Sequence, residues 1–190
     1  IKTDLESAAI ALSQGQKSIV AILGSGSNSC LYDGKEIIDK AHNLGYILGD
    51  EGSGFAMGRS VLQAYFYGKM EITDRRLFED LYGLSRPALI KKVYHSNQKS
   101  SAYIASFCQF LSSSSEGLRR QIAHENLAQF FDHQLAYYGE RASLPINFSG
   151  SISWHFWDSI EEICRKYAYK LGNIIQNPID SLSYSQIIEL

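Results

Sequence analysis

Apolar and polar positions along this chain alternate between helical and strand-like spacing. Leu5, Ala8, Ala9 and Leu12 recur at three- and four-residue steps after Thr3-Asp4, which predicts a short helix behind an extended Ile1-Lys2-Thr3. Ser18 to Leu23 is a β-rich apolar run that stops at Gly24-Ser25-Gly26. Ser29 to Tyr32 predicts a second strand, with Asp33-Gly34 turning the chain toward Glu36-Ile37-Ile38. Leu44 to Leu48 reads as a third strand ending at Gly49, and Glu51 to Tyr67 as a helix. Residues 74–140 are almost wholly helical in pattern, with candidate helices Asp74–Tyr82, Arg86–Val93, Ser101–Leu111 and Glu116–Tyr138 and a polar connector Ser112–Ser115. Leu144 to Phe148 returns to strand spacing. Ser149-Gly150-Ser151 then opens a helix carrying Ile152, Phe156, Ile160, Ile163, Cys164 and Tyr167 at a 3.6 period. A last strand lies near Ile174-Ile175, before a loop at Asn177-Pro178. This order predicts an α/β fold, a mixed sheet with helical packing.

Composition narrows the function classes. With 190 residues, 45% of them hydrophobic and 20% charged, the chain can bury a full core. A net charge of -2 offers no basic surface for nucleic acid or for an anionic membrane, and no apolar stretch approaches a membrane span. Cys30, Cys108 and Cys164 are odd in number and widely spaced. That argues against a disulfide framework, a zinc site or an iron–sulfur site, and predicts buried free thiols in a reducing cytoplasm. The five histidines show no metal-ligand spacing and are read as structural or surface residues.

Four segments carry candidate chemistry. Gly24-Ser25-Gly26-Ser27-Asn28-Ser29 follows a buried strand directly. Its backbone can turn several N–H groups into one concavity suited to phosphate oxygens, or can simply close a tight hairpin. No Gly-Lys-Ser/Thr follows, so it is not a Walker loop. Gly49-Asp50-Glu51-Gly52-Ser53-Gly54 lies between predicted strand and helix. Asp50 there serves either as a helix cap or as an ionised acceptor for sugar hydroxyls or metal-bound water. Gly52 and Gly54 favour a site, since inside a helix each would cost about 1 kcal/mol. Asp4 is an N-cap or a general base. Gly150 and Ser151 are an ordinary strand-to-helix turn, with Ser149 as cap, or a seat for a ribose or flat ring. Aromatic residues, including 12 Tyr and 9 Phe, cluster at helical spacing in the helical region and predict core or subunit contacts, while Trp154 and Trp157 flank the late turn.

Taken in order, these segments resemble the N-acetylglucosamine kinase branch of the sugar kinase, Hsp70 and actin superfamily, a group that also holds the ATPases activating benzoyl-CoA reductase. The residues carrying the likeness are Thr3-Asp4, Ala21 to Asn28, Leu44 to Gly54 and Phe148 to Ile152. The resemblance implies an actin-like, ribonuclease H-like ATPase domain over residues 16–190, with a helical insert at about 74–140. Residues 1–15 would be the end of an N-terminal domain and an interdomain helix. It implies ATP with Mg²⁺ as phosphoryl donor, a sugar as acceptor, and no metal held directly by protein ligands. Asp4 matches the family's catalytic aspartate. Gly24, Ser25, Gly26 and Ser27 match its phosphate motif, and Asn28, Asp50 and Glu51 its sugar-binding residues. Gly150 and Ser151 match its adenosine motif. The implied activity is phosphorylation of N-acetylglucosamine at its 6-hydroxyl. The alternatives are an inactive sugar-sensing module of the same fold, or an activator ATPase. The family's first phosphate loop, an Asp-Gly-Gly-type hairpin, is not in this sequence, so the partner expected is an N-terminal domain of the same protein. The aromatic-rich insert also offers a surface for a homodimer.

Overall fold

The computed structural model describes residues 3–95 and 100–178. Its centre is a five-stranded sheet in the order β3-β2-β1-β4-β5. Strands β1 (Ser18–Leu23), β2 (Ser27–Tyr32) and β3 (Ile37–Lys40) form an antiparallel meander, in register from Ser18↔Tyr32 to Leu23↔Ser27. Strands β4 (Ile146–Ser149) and β5 (Leu171–Ile175) add on the other side of β1, parallel to it. The carboxyl ends of β1, β4 and β5 therefore meet at one end of the sheet.

Alternation along β1 sorts its side chains onto two faces. Val20 packs with Cys30, Tyr32 and the buried Leu5, Ala8, Ala9 and Leu12 of α1 (Asp4–Ser13). Ile19, Ala21 and Leu23 join the larger core under the remaining helices. That core holds α3 (Gly54–Phe66), which follows the single turn α2 (Gly45–Leu48), then α4 (Ile72–Tyr82), α5 (Arg86–Tyr94) and α6 (Ser100–Ser106). A 3-10 segment, Phe107–Ser112, leads to α7 (Glu116–Phe130). A π-helical turn, Phe131–Leu135, and a 3-10 segment, Ala136–Ser143, return the chain to the sheet. The short α8 (Ser151–His155) and the amphipathic α9 (Trp157–Lys166) connect β4 to β5.

Most phenylalanines of the helical region are core, whereas Tyr94 and Tyr137 are exposed. Phe78 stacks on Tyr65 and Phe107 and meets Phe110 edge-on. Asp74, buried beside them, accepts hydrogen bonds from the Ser115 amide and hydroxyl, tying α4 to the start of α7. Cys30, Cys108 and Cys164 are free and buried, and desolvation pushes each thiol up to about 12.

Several local expectations need correction. Leu44–Leu48 is not a strand: it is one helical turn whose Leu44, Ile47 and Leu48 face solvent, so apolar character there does not mark burial. The third strand is instead Ile37–Lys40. β2 starts at Ser27 rather than Ser29. The expected helix 116–138 breaks into α, π and 3-10 pieces, and the late helix divides at Phe156. Thr3, not Asp4, caps α1, in a capping box with Glu6. Ser53, not Asp50, caps α3. Gly52 precedes the helix, and its φ of +71° rather than any helical strain explains the glycine. Ser149 is a buried strand residue and does not cap α8.

No helix among the described residues is long and apolar enough to cross a membrane. Residues 1, 2 and 179–190, where the expected strand end and the final segment fall, lie outside the described residues.

Candidate active site

The end of β1 is the organising point. The Gly24 amide donates to the Gly26 carbonyl at 2.9 Å, closing the turn. The start of α3 then hangs on that turn: the Gly54 amide donates to the Gly24 carbonyl at 2.7 Å and the Phe55 amide to the Ser25 carbonyl at 3.2 Å. The Ser27 amide donates to Asp50 Oδ1 at 3.2 Å. Of the four amides expected to cradle phosphate, those of Gly24 and Ser27 are thus engaged inside the protein. Those of Ser25 and Gly26 have no partner among the described residues.

Asp50 is buried, with a positive φ of 55°, a conformation Asp tolerates better than most residues. Its Oδ1 accepts from Ser27 and, at 2.9 Å, from Asn43 Nδ2. A Cβ added at Gly26 would lie 2.8 Å from Asp50 Oδ2, so only glycine leaves that oxygen its room. The neighbouring Glu51 has a partner of its own. Its Oε1 lies 3.0 Å from His133 Nδ1 in the π turn, while Oε2 is buried without a partner among the described residues. Ser27 Oγ is likewise buried and unpartnered. Asn28 is half-buried, and its Oδ1 accepts from the Ser29 amide.

Gly150 follows β4 with φ +112°, and a side chain there would collide with the Leu23 carbonyl. This close approach sets the start of α8 against the end of β1. Gly24, Ser25 and Gly54 then share one cleft of about 410 Å³ with Ser151 and Ile152. The far wall is the helical region: Ala102, Ala105, Ser106, Gln109 and Ser112, small or polar residues at helical spacing. These residues belong to none of the sequence motifs; their small or polar character at helical spacing is the signal that could have found this wall. Trp154 and Trp157 do not enter this cleft. They are exposed and line a separate recess with Ile174.

Asp4 is exposed at the first position of α1. The last residue of α1 meets the first of β1, Ser13 Oγ lying 2.9 Å from Ser18 Oγ. Ten helical residues rise about 15 Å and six strand residues about 20 Å, so α1, packed along β1, returns its first turn to the glycine end of the sheet. Asp50 meets the glycine turn through Ser27, while neither Asp4 nor Asp50 lines the cleft shared by Gly24, Ser25 and Ser151. No group of three or more His, Cys, Asp or Glu among the described residues could hold a metal ion.

Sheet order and strand-end site define an α/β domain of the actin-like ATPase fold, as found in sugar kinases. Over 92% of its length the chain is similar, at 32% identity and a TM-score of 0.85, to a candidate N-acetylglucosamine kinase from Porphyromonas gingivalis. A second candidate N-acetylglucosamine kinase, from Chromobacterium violaceum, matches 94% of the chain at 20% identity and a TM-score of 0.67, a likeness of fold. The chain shares its fold with both of these proteins. It spans 62% of the length of each. No protein-family model matches the chain, and no curated protein matches it.

Proposed function

We propose that the chain is the C-terminal part of an ATP-dependent kinase that phosphorylates an amino sugar, N-acetylglucosamine, at its 6-hydroxyl. The observation that carries this reading is the joining of three sequence motifs at one strand end. The Gly24–Ser27 turn is bonded to Asp50 on one side and shares a cleft with Ser151 on the other.

Gly24 fits a phosphate-bearing ligand, since a side chain there would meet nothing within 4 Å and its backbone borders open space. The Ser25 and Gly26 amides would hold phosphate oxygens. Gly150 and Ser151 would receive the adenosine. ATP with Mg²⁺ supplies the phosphoryl group, and the ion would arrive with the nucleotide, consistent with the preference of Mg²⁺ for phosphate and water oxygens. Asp50 Oδ2, Asn28 and Glu51 would bind the sugar hydroxyls. Asp4 would orient the 6-hydroxyl and take its proton as it attacks. Such transfer depends mainly on alignment and charge stabilisation, which is what this site could supply. An N-terminal domain of the same protein would close over the cleft and exclude water. The buried, separate thiols argue against an iron–sulfur activator ATPase and suit a cytoplasmic protein.

The test is ADP release by the full-length protein with ATP, Mg²⁺ and a sugar panel. N-acetylglucosamine is expected to stimulate release and to yield the 6-phosphate by mass spectrometry and NMR. Binding of the sugar without any release of ADP would favour the sensing module instead.

A further inference from the structure

We propose that Asn43 is a positioning residue for the sugar site, one that decides which oxygen of Asp50 meets the substrate. The inference rests on the sugar-kinase reading and deepens it. A carboxylate can only accept hydrogen bonds, and each of its oxygens can take more than one donor. In Asp50, Oδ1 takes two: the Ser27 amide at 3.2 Å and Asn43 Nδ2 at 2.9 Å. Oδ2 is left over, in the space kept clear by Gly26.

The orientation of the Asn43 amide follows from its neighbours. Nδ2 faces two oxygens, that of Asp50 and the Ser27 carbonyl, while Oδ1 accepts from the Gly45 amide at 2.6 Å. A flipped amide would set oxygen against oxygen and nitrogen against N–H. One exposed side chain at the rim thus ties the glycine turn, the Asp50 carboxylate and the first turn of α2 together. With Asn43 in place, Asp50 Oδ1 is saturated by protein donors and the carboxylate cannot swing. Oδ2 is left to accept from hydroxyl donors, such as the ring hydroxyls of an amino sugar.

Two substitutions in the full-length protein separate positioning from a merely structural role. Asn43→Ala removes all these bonds. Asn43→Asp keeps the acceptor for Gly45 and the shape, but removes the donor and sets a second anion against Asp50. With N-acetylglucosamine as the probe, the sugar KM is expected to rise about tenfold or more in N43A, and further in N43D. The ATP KM should stay within about twofold, the level at which a lost ligand contact is not implied. If Asn43 only braces α2, N43D will match the parent in sugar KM, and the inference is overturned; a parallel rise in both KM values overturns it as well. A parent protein that shows no sugar-dependent ADP release brings down the kinase reading and this inference together. A working parent with indifferent variants brings down this inference alone.

Discussion

Asp50 and Asp4 occupy the same end of the sheet in contrasting ways. Asp50 is buried, left-handed in backbone and held by donors from two other segments, Ser27 and Asn43. Asp4 is exposed and owes its place to the start of α1, where Thr3 and Glu6 form the cap. A carboxylate that must grip one hydroxyl gains from being immobilised. One that must receive a proton at the moment of transfer gains from being set by a rigid helix yet open to the incoming group.

The largest expected effect tests the open member. Asp4→Asn in the full-length protein should lower kcat for sugar phosphorylation by about 10²–10⁴-fold. Its melting temperature should hardly move, because the side chain is exposed. A kcat near the parent value would end the contrast, leaving Asp4 a surface residue. Next comes the clamped member. Asp50→Asn should raise the sugar KM about 10- to 100-fold by removing a charged acceptor, with ATP binding retained; equilibrium sugar binding by calorimetry checks it. Gly26→Ala sharpens the distinction, since the new methyl would press on Asp50 Oδ2 and leave Asp4 untouched. A several-fold weaker sugar KM with unchanged response to Asp4 substitution is expected (~1 kcal/mol of lost fit).

The smallest effect concerns a carboxylate away from the site. Hydrogen bonds from Arg141 first, and from Tyr137, hold Asp39 below the ordinary carboxylate range. Its folded pKa is depressed, so its stabilising contribution is present at neutral pH and fades as pH falls below 3.8 through the folded value. Asp39→Asn should therefore lower the melting temperature slightly near neutrality, and the difference from the parent should close in acid.

What the sequence disclosed was local in origin. The apolar run of β1 and the glycines after it announce a strand and a turn, because both depend on neighbours in the chain. The helical spacing of α1, α3 and α9 was equally direct. Leu44–Leu48 misled because an exposed apolar helical turn has the composition of a strand. Asn43 carried no signal: its importance lies in reaching Asp50 and Ser27 at once, a relation that exists only after folding. The division of amides in the glycine turn, two engaged and two open, also depends on α3 and Asp50 arriving from elsewhere.

The π turn at Phe131–Leu135 has a consequence for sequence drift. Each helical residue advances the chain by about 100°, so a single deletion in this stretch would rotate everything after it. Gln134 and Tyr138 would lose Ser29, the His42 carbonyl and the Ala41 amide, which they now reach across the sheet edge. A chain that lengthens or shortens its helical region can do so in the exposed connectors, but this stretch has its residue count fixed by what lies beyond it.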